Sequence, residues 1–184
     1  MQALDESGLR DHTVIVLWSD HGYHFGEQGT WNKGNNFEKA TRSTLIVSVP
    51  DLETRGRRTE GLVELVDLFP TLSELCELPI PRGLEGTSFA KLLKNPKAAW
   101  KKAAFSQITP GQIPGFTMRT ERYRYTEWIH AGETIATEVY DHLSDPNESI
   151  NIAGHPENRE LVEALKSQFK AGWKAAVPKA KNDY

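Results

Sequence analysis

Asp20 and His21 stand at the end of the apolar run Thr13-Val14-Ile15-Val16-Leu17-Trp18, and Lys33 follows in the same stretch, SDHGYHFGEQGTWNKGNNF. A β-branched run that stops at an Asp-His-Gly turn reads as a buried strand delivering polar side chains to the carboxyl edge of a sheet, where open α/β folds bind ligands. A carboxylate and an imidazole side by side at such an edge can hold one divalent cation, and Gly22 lets the chain turn so that both face inward. Oxygen donors with a single nitrogen suit calcium or magnesium better than zinc, but two ligands do not complete a calcium shell of about six to eight oxygens. The compact ammonium of Lys33 would complement such a metal by neutralising a phosphate or sulfate oxygen. The same residue types also suit plainer roles: Asp20 capping a turn, His21 as a hydrogen-bonded loop histidine and Lys33 as a solvated surface lysine.

The elements around this cluster change character along the chain. Strand 13–18, a Gly-rich loop 20–36, a helical stretch from Phe37 to Thr41 and strand 44–49, closed by Pro50, suit a parallel α/β sheet better than a hairpin. After the polar hinge DLETRGRRTEG, residues 62–78 set leucines, valines and Phe69 at helical spacing, a stripe expected to face a core, with Pro70 kinking it or starting a second segment. A short helix through Phe89, Leu92 and Leu93 follows the loop PIPRGLEG. Beyond it, Ala104–Ile108, Phe116–Ile129 (interrupted at Glu121-Arg122) and Thr137–Leu143 read as strands joined by turns. One amphipathic helix over 156–177 carries Leu161, Val162, Leu165, Phe169 and Trp173. The expected organisation is an α/β part over residues 1–94, a solvated basic connector over 95–103 and a small α+β antiparallel-sheet subdomain over 104–184.

Composition bounds the partners. The chain has 184 residues with a net charge of -3, which provides no basic footprint for nucleic acid. No apolar stretch approaches the ~20 residues that span a bilayer. The single cysteine, Cys76, excludes a disulfide within these residues and a Cys-based zinc site, and its apolar setting predicts a buried, inert thiol. No secretory signal opens the sequence, and a core strand so close to Met1 has little to flank it. The expectation is that the sequence starts part-way into a longer protein, which leaves its compartment open.

Seven segments, in order, resemble the sulfatases of the alkaline-phosphatase-like superfamily. They are SDHG, Gly26-Glu27, Trp31-x-Lys33, and Asn36-Phe37 leading to Ala40-Thr41 and the strand ending at Pro50; then LVELVDLFPTLSEL; Met118-Arg119-Thr120 with Tyr123-Arg124-Tyr125; and Glu138 to Asp141 with Asp145-Pro146-Asn147-Glu148 and Asn151. Within the family they look most like the iduronate-2-sulfatase branch. The resemblance implies the C-terminal part of an alkaline-phosphatase-like sheet with flanking helices, followed by the small α+β subdomain. It implies that Asp20 and His21 are ligands of an active-site Ca2+, with Mg2+ less suited, and that Lys33 contacts the sulfate. It gives His24, Trp31 and Arg42 one of two roles, lining the substrate side or, at least as well, supporting the loop, and Thr44 stands where the family commonly has proline.

Sulfatases attack sulfur with a formylglycine made within a Cys-x-Pro-x-Arg type motif, or its serine counterpart, and neither occurs here; Cys76 is followed by Glu-Leu-Pro-Ile. The family's early paired aspartates are missing as well. The resemblance therefore implies a C-terminal fragment of a sulfuric ester hydrolase acting on a sulfated carbohydrate, inactive without the N-terminal half of the same protein. Family members are usually periplasmic, lysosomal or secreted. A phosphodiester or phosphonate hydrolase of the same superfamily is the alternative, as is a non-catalytic remnant or partner-requiring half with an exposed apolar edge on strand 13–18.

Overall fold

The structure, a computed structural model, describes residues 1–178. The last residues of the expected subdomain, 179–184, lie outside the described ones. In chain order the elements are α1 (Gln2–Glu6), β1 (Ile15–Trp18), β2 (His24–Phe25), β3 (Trp31–Asn32), α2 (Glu38–Thr41), β4 (Leu45–Ser48), α3 (Leu68–Leu75), α4 (Ala90–Lys94), β5 (Ala103–Ile108), β6 (Gly115–Thr120), β7 (Tyr123–His130), β8 (Glu133–Asp141) and α5 (Arg159–Ala176). They fall into two compact units: Met1–Asp20 with Thr44–Trp100, and His21–Ser43 with Lys101–Tyr184. The loop after β1 thus clusters with the C-terminal segment, whereas the sequence reading kept it with residues 1–94. Among the described residues, no helix is long and apolar enough to cross a membrane.

In the first unit, β1 pairs with β4 in antiparallel register, Ile15 opposite Ser48 and Trp18 opposite Leu45. This corrects the expected parallel pairing. The chain leaves at Ser19 and returns at Thr44, where Ser19 N donates to Thr44 O at 3.1 Å and Thr44 N to Ser19 Oγ at 3.1 Å, so the two strands must run in opposite directions. The expected burial of β1 holds for neither end fully: Ile15 and Val16 are half-buried, while Leu17 is 60% and Trp18 52% exposed. Pro70 lies in the first turn of α3, where its missing N–H leaves no bond unmade, so the expected kink does not form. The buried face of α3 carries Pro70, Thr71 and Ser73, while Val66, Phe69 and Leu78 of the predicted core stripe are exposed. Hydrogen bonds fix this rotation: Thr71 Oγ1 donates to Asp67 O at 2.6 Å and accepts from Phe89 N at 2.9 Å. Asp67 Oδ1 accepts from Thr87 N at 2.8 Å. Cys76 is exposed, a correction to the buried thiol expected from its apolar neighbours.

In the second unit, β5 to β8 form a four-stranded antiparallel sheet in sequence order. Side chains alternate across it. Met118, Tyr125 and Val139 share the face covered by α5, where they join Ala103, Leu165 and Ala176 in the core; the Tyr125 and Phe169 rings lie 5.4 Å apart. The connector predicted as solvated enters this core, since Lys101 is 7% and Ala103 1% exposed and Lys102 N donates to Ala176 O at 3.0 Å. The helical conformation of α5 is interrupted at Gly172 (φ 76°), before Trp173, so the expected single stripe ends there. The opposite face of the sheet presents Thr117, Thr126, Arg124 and Tyr140, and on it lies the loop 21–43.

Candidate functional site

The loop begins with a close approach that only glycine permits. Gly22 N donates to Ala40 O at 2.8 Å, and a Cβ at Gly22 would lie 1.9 Å from the Lys39 carbonyl oxygen. His21 therefore sits against the carbonyl end of α2. Its Nδ1 is 2.6 Å from Gly22 O. A carbonyl only accepts, so Nδ1 carries the proton and Nε2 the lone pair. Lys33 Nζ meets that Nε2. The meeting depends on Asn32, whose φ of 97° folds the chain back after β3 and whose Oδ1 accepts from Lys33 N at 2.7 Å. Asp20, exposed, closes the first unit directly before His21 in sequence.

The short β2–β3 hairpin separates two kinds of ring. Trp31 and Phe25 are each 70% exposed and meet edge to face at 6.4 Å, with Tyr23 packed on Phe25 at 5.1 Å. His24 points the other way and is fully buried, a placement that fits the loop-supporting role of the two expected for it. Its Nε2 is 3.0 Å from Asn35 Oδ1, and its Nδ1 has no partner. Arg42 is exposed, with Nη1 3.9 Å from Glu38 Oε1.

Beneath the loop lies a buried polar group whose charges the sequence reading left without a role. Arg124 donates from Nη2 to Glu38 Oε2 at 2.5 Å and to Thr41 Oγ1 at 3.1 Å, and from Nε to Glu148 Oε1 at 2.5 Å. Glu148 Oε1 lies 2.7 Å from His142 Nε2, and Glu148 Oε2 accepts from the Glu38 backbone N–H at 2.6 Å. Burial raises the pKa of Glu148, but His142, Arg124 and the Glu38 amide outweigh it, and the carboxyl is held below its ordinary value. Glu38, His142 and Glu148 bring possible ligand atoms within 4.8 Å of one another. Arg124 pairs with both carboxylates and Arg119 Nε also donates to Glu38 Oε2 at 3.2 Å, so two guanidiniums balance the two carboxylates and the group is an ion-pair network that supports the loop and a poor seat for a cation. The fragments YRY and DPNE carried these residues; what the spacing lacked was any sign that they meet Glu38.

One ring nitrogen of His21 is oriented by a carbonyl, as in a metal-bound imidazole, while the lone pair of the other accepts from the Lys33 ammonium, which a metal would have to displace. Next to it in sequence stands a carboxylate, and the ammonium of Lys33 suits an anion.

Comparison with known proteins shows the family and the fold. The family profile described as N-sulphoglucosamine sulphohydrolase, C-terminal, matches residues 26–174. A sulfatase of Formosa agariphila is 35% identical over 91% of this chain and 31% of its own length. Mouse iduronate 2-sulfatase is 30% identical over 90% of this chain and 43% of its own length. A solved structure described as in complex with its substrate D-glucosamine-2-N,6-O-disulfate superimposes with a TM-score of 0.82 at 26% identity, over 98% of this chain and 38% of that one. The fold alone is shared with the phosphonate monoester hydrolase of Agrobacterium radiobacter, at a TM-score of 0.81, 24% identity and 92% of this chain against 36% of that one. The chain spans between 31% and 43% of the length of the two sulfatase relatives. Its fold is of the alkaline-phosphatase-like, α/β kind, and the chain belongs to the sulfatase family, whose C-terminal domain it carries.

Proposed function

We propose that these residues supply the second half of the metal site and the sulfate-facing lysine of an enzyme that hydrolyses sulfate esters on a sulfated carbohydrate. The observation that carries this reading is the fixed imidazole of His21, with Nδ1 committed to Gly22 O and Nε2 accepting from Lys33 Nζ, so that an oriented imidazole and an ammonium meet on one loop, and calcium would take the place of the ammonium at Nε2. Asp20 and His21 would hold Ca2+, which when bound polarises the sulfate and neutralises its charge. Lys33 stabilises charge on the sulfuryl oxygens or on the leaving oxygen. Trp31 and Arg42, both exposed, face the sugar side. The names of mouse iduronate 2-sulfatase and of the disulfated glucosamine complex support a sulfated carbohydrate as substrate.

The nucleophile belongs, in this reading, to an N-terminal half that these residues require for activity. Leu17 and Ile46, opposite each other on β1 and β4 and each more than half exposed, support such a partner because they offer it an apolar face to cover. Phosphonate hydrolysis is the second reading, favoured by the fold shared with the Agrobacterium enzyme, since an ammonium and a metal serve a phosphonate equally well. Turnover of a sulfate ester and of a phosphonate monoester, measured side by side on the whole enzyme, separates the two. Lys33→Ala is expected to lower the preferred turnover by about 10²- to 10³-fold. Stability should shift by no more than about 0.5 kcal/mol, as for an exposed side chain. Unchanged turnover would remove Lys33 from the site. Asp20→Asn is expected to weaken calcium binding.

A further inference from the structure

We propose that the turn Asp145–Glu148 is a clamp that positions His21 and Lys33, with Glu148 as its principal positioning residue. The inference rests on the reading of those two residues given above and adds the part of the molecule that holds them.

The turn reaches the loop at two places. Glu148 Oε2 accepts from Glu38 N at 2.6 Å, at the start of α2, while the Glu148 partner Arg124 also binds the Glu38 carboxylate and the Thr41 hydroxyl. Both ends of that single helical turn are thereby tied to the sheet. The carbonyl end of α2 carries the site in turn: Ala40 O accepts from Gly22 N at 2.8 Å, and Gly22 O fixes Nδ1 of His21 at 2.6 Å. At the second place, the Asn147 carbonyl accepts from the side-chain amide of Gln28, in the bend between β2 and β3 that leads to Lys33. The turn is itself built firmly, since Asp145 Oδ2 accepts from Ser149 N at 2.6 Å and Ile150 N at 2.8 Å. Glu148 and Asn147 bind the loop at Glu38 and Gln28, so both act through the loop. A sub-ångström shift of α2 would move the His21 ring with it.

Hydrogen–deuterium exchange of the full chain tests the clamp without any sulfate chemistry. In Glu148→Gln, which keeps the shape and removes the charge, amides of residues 21–42 are expected to exchange about tenfold faster or more, with those of β6 and β7 unchanged. No acceleration in 21–42, or equal acceleration in β6 and β7, would overturn the proposal. Gln28→Ala leaves the buried charges intact and should accelerate residues 23–33 alone; if Glu148→Gln fails to fold, this variant decides, and an unchanged 23–33 overturns the clamp. In the whole enzyme, kcat should fall in both variants more than KM rises. Failure of the functional reading is distinguishable: it would appear as unchanged turnover in Lys33→Ala, with the exchange pattern intact.

Discussion

Glu148 accepts a hydrogen bond from the backbone of Glu38 at 2.6 Å, although 110 residues separate them. This bond joins the last turn of the antiparallel sheet to the first turn of α2, and α2 is the surface against which His21 and Gly22 rest. The loop 21–43 is thus tied to a distant segment, and substitutions there are expected to reach the proposed site through it.

Gly22→Ala should damage the loop directly. The added methyl would stand 1.9 Å from the Lys39 carbonyl and 2.9 Å from that of Arg42, and neither is the movable end of a side chain. The cost is steric, so it should reach or exceed the upper part of the range of about 1–3 kcal/mol for overpacking. Urea unfolding of the chain measures it. An alanine variant of wild-type stability would show that α2 can back away from residue 22.

Arg124→Met should be costly for the opposite reason, the loss of a partner. The Arg124 and Glu148 side chains are 2% and 1% exposed, and removing the guanidinium leaves the buried Glu148 carboxylate with only His142 and the Glu38 amide, while Glu38 keeps Arg119. A loss of about 3–5 kcal/mol is expected. Replacing Glu148 with Gln in the same chain should recover part of it, because the uncompensated charge is then gone; absence of any recovery would contradict this account.

Acid should weaken the second unit in a defined window. The Arg122 guanidinium grips both oxygens of Asp141 at 2.8 and 2.7 Å and lowers its pKa to about 2, with the Leu143 amide adding to the effect. A carboxyl whose folded value lies below its unfolded one of about 4 stabilises fully above that pH, and the contribution disappears as pH falls toward 2. Glu148 shifts in the same direction. The melting temperature should therefore fall between about pH 4 and pH 2, and Asp141→Asn should flatten that slope while lowering stability at neutral pH. An equally steep slope in the variant would assign the acid sensitivity to other carboxylates.

What could be read from residue order alone was what repeats locally or stands adjacent. Strands at 15–18 and 45–48, the turn at Glu121-Arg122 and most of the C-terminal helix followed from periodicity and punctuation, because a strand or helix exposes its buried face at fixed spacing. The adjacency of Asp20 and His21 and the presence of Lys33 in one Gly-rich loop were equally visible. The tertiary structure decided everything that depends on meeting across the chain. It turned β1 and β4 antiparallel, because residues 19 and 44 close on each other. It rotated α3 so that Thr71 lies inward, drew Lys101 into the second unit, left Cys76 exposed and buried His24 under the hairpin. It also gathered Glu38, Arg124, His142 and Glu148 into one network. A charged residue carries no periodic signal of its partner, since an ion pair across 24 or 86 residues is set by strand register and loop path and not by local propensity. The residue types of the proposed site were thus legible in the sequence, while the geometry around them came from long-range contacts that a sequence pattern does not encode.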